Sequence, residues 1–176
     1  MSTLAIAHSV RRPAGDLRPG TRTFLATGAG LVTAAILLAL ARVLIGAAPG
    51  VAAFKEVALV IHLLAVIPAL PLGAYVLLTR KGTARHRRLG KIWMLLMVVG
   101  ALSALWIRHL NGGSLSWIHL LVPVVLVTAW RAIARARAGD IAAHKRGLVI
   151  LFVTGLILPG LLSFLPGRLM WVWLVG

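Results

Sequence analysis

The sequence predicts an all-α integral membrane protein with five transmembrane helices, in which helices two to five form a duplicated four-helix bundle. Hydrophobic residues make up 60% of the 176-residue chain, and its mean hydropathy is +0.98. A soluble domain of this length cannot bury so much apolar surface. The chain also contains five apolar stretches of about 20 residues, the length a helix needs to cross about 30 Å of hydrocarbon.

The five spans are predicted at residues 23–47, 54–79, 90–108, 116–135 and 147–167. The chain then divides into four parts: a basic cytoplasmic tail (1–22), an anchor helix (23–47), the duplicated bundle (54–168) and a short interfacial tail (169–176). This division leaves no soluble domain, so any chemistry belongs to the bundle.

Two segments of the bundle follow one design. His62 precedes His86 by 24 residues, and His119 precedes His144 by 25. The residues between the histidines of each pair are mostly apolar, which is typical of two membrane helices joined by a short loop. Duplication would set like histidines opposite one another around a pseudo-twofold axis, and such an arrangement can build a shared ligand site.

The charge of the chain indicates its topology. Nineteen Lys and Arg against three acids give a formal net charge of +16. Fifteen of these cations fall in the N-terminal tail and in residues 80–91 and 131–146. Because basic loops stay in the cytoplasm, we expect a cytoplasmic N-terminus and a C-terminus on the other side. No basic-aromatic RNA motif is present, which argues against nucleic acid, and the lack of cysteine excludes iron–sulfur and thiolate sites.

Three histidines are predicted near the outer ends of the spans. Eighteen residues separate His62, His109 and His119 each from a basic residue at the cytoplasmic end, which corresponds to about 27 Å of helix. Simple alternatives are an interfacial ring for His109 and His119, and one bond to a neighbouring carbonyl for His62. Two ligand hypotheses remain beside these. His62 and His119 can be the axial ligands of a b-type haem, or all three can hold zinc or copper with an open fourth position.

Two more histidines, His86 and His144, lie near the cytoplasmic loops. Thr83 and Asp140 are good N-caps, which puts His86 and His144 in the first turns of the helices that follow. Cations surround both histidines and suit anionic phospholipid head groups; the candidate anion-binding and lipid-binding residues are Arg85, Arg87, Arg88, Lys145 and Arg146. Other candidates for His86 and His144 are a quinone carbonyl or a second haem.

Three short segments carry a family resemblance: RHRRLG at 85–90, RAGDIAAHKR at 137–146 and LPGRLM at 165–170. Together they resemble the bacterial membrane family known as domain of unknown function 2306, over about residues 54–170. The resemblance implies a small multi-span helical protein of the bacterial inner membrane, with its C-terminus in the periplasm on the topology above. It implies no activity. Membrane b-type cytochromes are similar in arrangement alone, without a matching motif.

The sequence is therefore compatible with three functions. The first is a haem b electron-transfer protein, a candidate component of a membrane oxidoreductase. The second is a non-redox protein that binds lipid or another anion. The third is an accessory subunit of a larger membrane complex or a homo-oligomer, docked through the small residues Gly28-Ala29-Gly30 of the first span.

Overall fold

The computed structural model describes residues 17–49, 56–108 and 112–176, and this part of the chain is helical without strands. The helices are α1 (Pro19–Leu44), α2 (Val57–Leu78), α3 (Ala84–Ala104), a 3₁₀ turn (Trp117–Leu120), α4 (Leu121–Arg137), α5 (Ile141–Phe152), a π-helical turn (Val153–Ile157), α6 (Leu158–Leu162) and α7 (Leu169–Val175). The 3₁₀ turn runs directly into α4, and α5, the π turn and α6 form one continuous helix.

Four helices are long and apolar enough to cross a membrane. They are Pro19–Leu44, Val57–Leu78, Trp117–Arg137 and Ile141–Leu162. The prediction of a helical membrane protein is confirmed, but the count of five spans is not. The predicted third span (90–108) corresponds to α3, which begins directly after its predicted cap Thr83 and carries Arg85, Arg87, Arg88 and Lys91 in its first two turns. Those charges leave α3 a shorter apolar stretch than the other four helices have.

The two hairpins, α2 with α3 and α4 with α5, are closed by the same kind of turn. Gly82 and Gly139 adopt positive φ angles of 80° and 77°, a conformation that glycine reaches without steric cost. The next residue caps the following helix: the Thr83 hydroxyl accepts from the His86 amide at 3.1 Å, and the Asp140 carboxylate from the Ala143 amide at 3.0 Å. Both predicted N-caps are confirmed.

Helix α1 packs against α2, α7 and the π turn. Of its small residues, Ala29 is buried in the bundle, and a Cβ added at Gly28 would lie 3.2 Å from Ile157. Gly30 faces open space. Part of the small-residue stripe predicted for docking is therefore used inside the chain, and docking to another protein stays a prediction.

The π turn has a local cause in Pro159. Proline lacks an amide hydrogen, and its ring clashes with the carbonyl four residues earlier, which here belongs to Gly155. The turn Val153–Ile157 contains that carbonyl and ends two residues before the proline. Widening the helix at this point relieves the clash. It also brings the backbone of Gly155 against its neighbours, because an added Cβ would lie 2.6 Å from Met97 and 3.1 Å from Val125.

At the centre of the bundle, Gly73 packs closely against two aromatic rings. The fully buried rings of Trp93 and Phe152 pack with their centroids 6.2 Å apart. A Cβ added at Gly73 would lie 2.5 Å from Trp93 and 2.8 Å from Phe152. Neither rigid ring can withdraw at low cost. We therefore expect Gly73→Ala to lower the free energy of unfolding by about 1–3 kcal/mol, measured as a lower thermal midpoint in detergent.

Gly30→Ala is the matched control for this prediction, since nothing lies within 4 Å of its added Cβ. It should leave the midpoint unchanged or raise it slightly, because alanine favours the helix over glycine. Equal midpoints for the two variants would show that α2 does not need glycine at this contact.

Candidate functional site

A cavity of about 680 Å³ lies in the half of the bundle away from the basic loops. Every helix except α5 contributes to its wall, and most of the lining is aliphatic. The polar side chains in the lining are those of Glu56, His62, His119, Thr154, Ser163 and Arg168. An apolar cavity of this size with a few convergent polar groups is typical of a small-molecule or cofactor site.

His62 is held by α3 from across the hairpin. Its Nδ1 donates to the Gly100 carbonyl at 2.9 Å, and the Ser103 hydroxyl lies 3.3 Å from the same nitrogen. The Ser103 hydroxyl also donates to the Gly100 carbonyl, at 3.0 Å. Since a carbonyl only accepts, Nδ1 carries the proton, and Nε2 is left with a free lone pair. His62 therefore presents an oriented ring whose second nitrogen can accept a hydrogen bond or bind a metal.

His119 sits in the 3₁₀ turn and is only 7% exposed. Its Nδ1 accepts a hydrogen bond from the Ser116 amide at 3.0 Å and also lies 3.1 Å from the Ser116 carbonyl and 3.2 Å from the Ser116 hydroxyl. Its Nε2 is buried and has no hydrogen-bond partner within the described residues. An unsatisfied buried polar atom costs about 1–3 kcal/mol. A ligand in the cavity would offset this cost.

The lining of the cavity also includes one acid and one cation, Glu56 and Arg168. The guanidinium of Arg168 lies 6.0 Å from the centre of the Trp117 ring, at the outer limit of a cation–π contact. Arg108 donates to the Leu105 carbonyl at 2.9 Å and is not among the lining residues.

His86 and His144 meet at the basic end of the bundle, the end formed by residues 80–91 and 131–146. The Nδ1 of His144 donates to the Ala132 carbonyl of α4 at 2.8 Å. His86 precedes the apolar part of α3, and its Nδ1 is buried without a partner within the described residues. Burial lowers the pKa of His86, and the positive charges of His144, Lys81 and Arg87 lower it further. The two rings are thus close enough for their charges to interact.

The hydrogen bonding follows the same pattern in both pairs of histidines. One member is fixed by a backbone carbonyl on the neighbouring helix: His62 by Gly100 and His144 by Ala132. The other member, His119 or His86, has a buried nitrogen that lacks a partner in the described chain. The two histidines of the first pair thus line one cavity, and those of the second pair lie at the basic end, where only His86 lines a cavity.

A second cavity, of about 300 Å³, lies beside His86. It is lined by Tyr75, Val76, Thr79, Arg80, Thr83, Arg85, His86 and Leu89. Of the five predicted anion-binding residues, Arg85 alone is in this lining. Arg87 donates to the Gly82 carbonyl at 2.7 Å, and Arg88, Lys145 and Arg146 lie elsewhere on the basic end.

The three-histidine zinc or copper site is not supported. No group of three His, Cys, Asp or Glu side chains that could hold a metal ion occurs within residues 17–49, 56–108 and 112–176. His109, the third predicted ligand, lies outside the described residues. A haem needs only two axial protein ligands, so the same observation does not bear on the pair of His62 and His119.

The chain matches one known family. The family described as a predicted membrane protein (DUF2306) matches residues 59–163, which include all four paired histidines. No curated protein and no solved structure matches the chain.

Proposed function

The chain belongs to the DUF2306 family of predicted membrane proteins, whose description assigns no activity, and we propose that it binds one haem b between His62 and His119 and transfers electrons. One observation carries this proposal: the two imidazoles line one apolar cavity of about 680 Å³. Pockets for drug-sized ligands span roughly 300–1,000 Å³, so the cavity has room for a porphyrin.

The hydrogen bonds of His62 suit axial ligation. A ligating histidine almost always donates its other ring N–H to a carbonyl or carboxylate, which fixes the tautomer and the ring plane. His62 makes this bond to Gly100. His119 would bind the metal through its buried Nε2 with the proton moved to Nδ1, which would then donate to the Ser116 carbonyl or hydroxyl in place of the bond that Nδ1 accepts from the Ser116 amide.

The rest of the cavity suits a haem as well. The aliphatic wall would keep water from the ring, and Arg168 in the lining offers a cation for a propionate. A bound haem would supply one-electron chemistry. The role of the protein would be to hold the axial nitrogens and keep the porphyrin dry. Glu56 would place a negative charge near one edge.

The proposal covers one haem. At the basic end the cavity beside His86 is less than half as large as the first, and His144 is not among the residues that line it. A second haem or a quinone at His86 and His144 stays a prediction.

A quinone in the large cavity is a second candidate, favoured by the other tautomer of His119. The Ser116 amide donates to Nδ1 at 3.0 Å, the shortest of its three contacts, and in that state Nε2 carries the proton. His119 would then donate to a carbonyl while His62 accepts from a hydroxyl. Such a donor and acceptor pair suits a quinone or quinol head group.

We further propose five spans, with α3 as the third, in a bacterial inner membrane with a cytoplasmic N-terminus. Arg22 in the first turn of α1 donates to the Leu78 carbonyl at the end of α2, at 3.3 Å, which supports an N-terminus at the basic end. Arg42 donates to the carbonyls of Trp173 and Gly176 at 3.2 Å, which supports a C-terminus at the opposite end. The positive-inside rule then orients the bundle.

The first test is a reduced-minus-oxidised absorption spectrum of the protein purified in mild detergent from haem-sufficient cells. We expect b-type bands and one haem per chain by pyridine haemochrome analysis. A colourless protein that releases quinone into organic solvent would favour the second candidate. A preparation that holds neither would contradict both.

A further inference from the structure

The cavity beside His86, which we call the basic pocket, lies where α2 ends and α3 begins. Its volume is about 300 Å³, and six of its eight lining residues are polar: Tyr75, Thr79, Arg80, Thr83, Arg85 and His86. The pocket is built on the loop and first turn that precede the apolar part of α3. In a membrane helix pair, this level corresponds to the lipid head groups.

The charge of the basic pocket is positive and is not balanced by a carboxylate of the described chain. Arg80 and Arg85 line the pocket, and no acid does. The described residues contain two acids. Glu56 lines the cavity at the other end, and Asp140 caps α5 and pairs with Arg135 at 3.4 Å. The pocket therefore has two arginines and lacks an anion.

The pocket also has a preformed shape. The guanidinium of Arg85 lies 5.3 Å from the centre of the Tyr75 ring, a cation–π contact that holds the arginine in place. The Nδ1 of His86 is buried and has no partner among the described residues. The α3 N-terminus contributes less, because Thr83 already accepts the His86 amide hydrogen.

We propose that the basic pocket binds a phosphate-type oxyanion through Arg80, Arg85 and His86. Arginine forks match the oxygens of phosphate in pairs, and a protonated nitrogen of His86 adds a third donor. The volume suits a head group or a free phosphate and is at the low end for larger ligands. Both the phosphodiester of an anionic phospholipid and inorganic phosphate have this chemistry, and the position favours the lipid. The inference goes beyond the haem proposal and does not depend on it.

The test compares full-length protein in phosphate-free dodecyl maltoside micelles and buffer, in the same micelles with increasing phosphatidylglycerol, and in the same micelles with added inorganic phosphate. The thermal midpoint reports binding, because a ligand of the folded state raises it. The variant is Arg80→Gln with Arg85→Gln. The matched control is Arg131→Gln with Arg137→Gln, which removes the same charge from exposed positions at the same end and outside the pocket.

We expect phosphatidylglycerol to stabilise the wild type and the control, and the pocket variant to need at least about tenfold more of it. Stabilisation of the wild type by inorganic phosphate, lost in the pocket variant, would support the site and identify free phosphate as a source. Equal losses in the pocket variant and the control would show a diffuse surface effect and overturn the proposal. No response of the wild type to either probe would also overturn it.

Two further measurements keep the outcome clear. Arg85→Lys keeps the charge but loses the paired contact, so it should weaken the response by itself even if the double variant does not fold. The haem content of the pocket variant should equal that of the wild type. The two readouts test the two proposals separately. A pocket variant that keeps the phosphatidylglycerol response would count against the pocket even if it lost haem, and the haem proposal would stand.

Discussion

Replacing His62 or His119 with alanine should remove the b-type absorbance of the purified protein. Loss of a group that only orients a metal ligand lowers metal affinity about 10–100-fold, and loss of the ligand itself should cost at least as much. Each alanine variant should therefore contain less than about a tenth of the wild-type haem, measured per chain by pyridine haemochrome. The protein should still insert and purify, because neither ring is among the large aromatic side chains at the core.

Methionine at the same positions separates ligation from packing. A thioether can bind haem iron, and a His/Met pair has a higher reduction potential than a pair of histidines. His62→Met should therefore keep more haem than His62→Ala and titrate at a higher potential. A merely structural histidine would give no such shift. Ser103→Ala is the mild control, since Gly100 still holds Nδ1. Alanine variants with full haem content would rule out these two ligands.

The backbone pattern of the protein could be predicted from the sequence because its causes are local. Apolar length indicated the helices, and the capping residues Thr83 and Asp140 indicated where two of them start; both cap as expected. The end of the third predicted span was less accurate. The prediction extended it to residue 108, whereas α3 ends at Ala104, because the residues that follow the helix are still apolar.

The site could be predicted only in part. Equal spacing indicated the pairs His62 with His119 and His86 with His144, because equal numbers of helical residues place side chains at equal depths in the membrane. The anchors of these rings could not be predicted, because the carbonyls of Gly100 and Ala132 have no signal in the sequence. Arg168 was also missed as a lining residue, although its place after Pro166-Gly167 marks the turn that brings it to the cavity.

The two ends of the bundle differ in size and charge, which favours a different ligand at each end in the proposed function. The end with His62 and His119 has the larger and mainly aliphatic cavity, which favours an uncharged or porphyrin ring. The end with His86 has a smaller pocket with two arginines, which favours a hydrophilic anion. In the proposed function the two ends would thus take different ligands, because the residues around their histidines differ in charge.

Filling the large cavity should weaken ligand binding and at the same time raise the stability of the ligand-free protein. Ala101 lines the cavity and is buried, so Ala101→Phe places a ring in space that a ligand would use. Filling a cavity commonly adds about 0.5–2 kcal/mol to the free energy of unfolding, so the ligand-free variant should melt higher than the ligand-free wild type. Its haem content, or its quinone content if that candidate holds, should fall at least about tenfold, since overlap with a wall side chain costs more than a lost contact.

The neighbouring residue provides the control for this prediction. Leu102→Phe adds the same ring at a position that is 42% exposed and outside the cavity lining, so it should change neither ligand content nor midpoint much. An Ala101→Phe protein with full ligand content would place the ligand elsewhere, whatever its identity. An Ala101→Phe protein that melts lower and loses ligand would show overpacking instead of occupation of an empty volume. Only a higher midpoint together with ligand loss fits a preformed cavity that binds a ligand. In a rigid empty volume the added ring gains contacts with the wall, and the same ring occupies the space that the ligand needs.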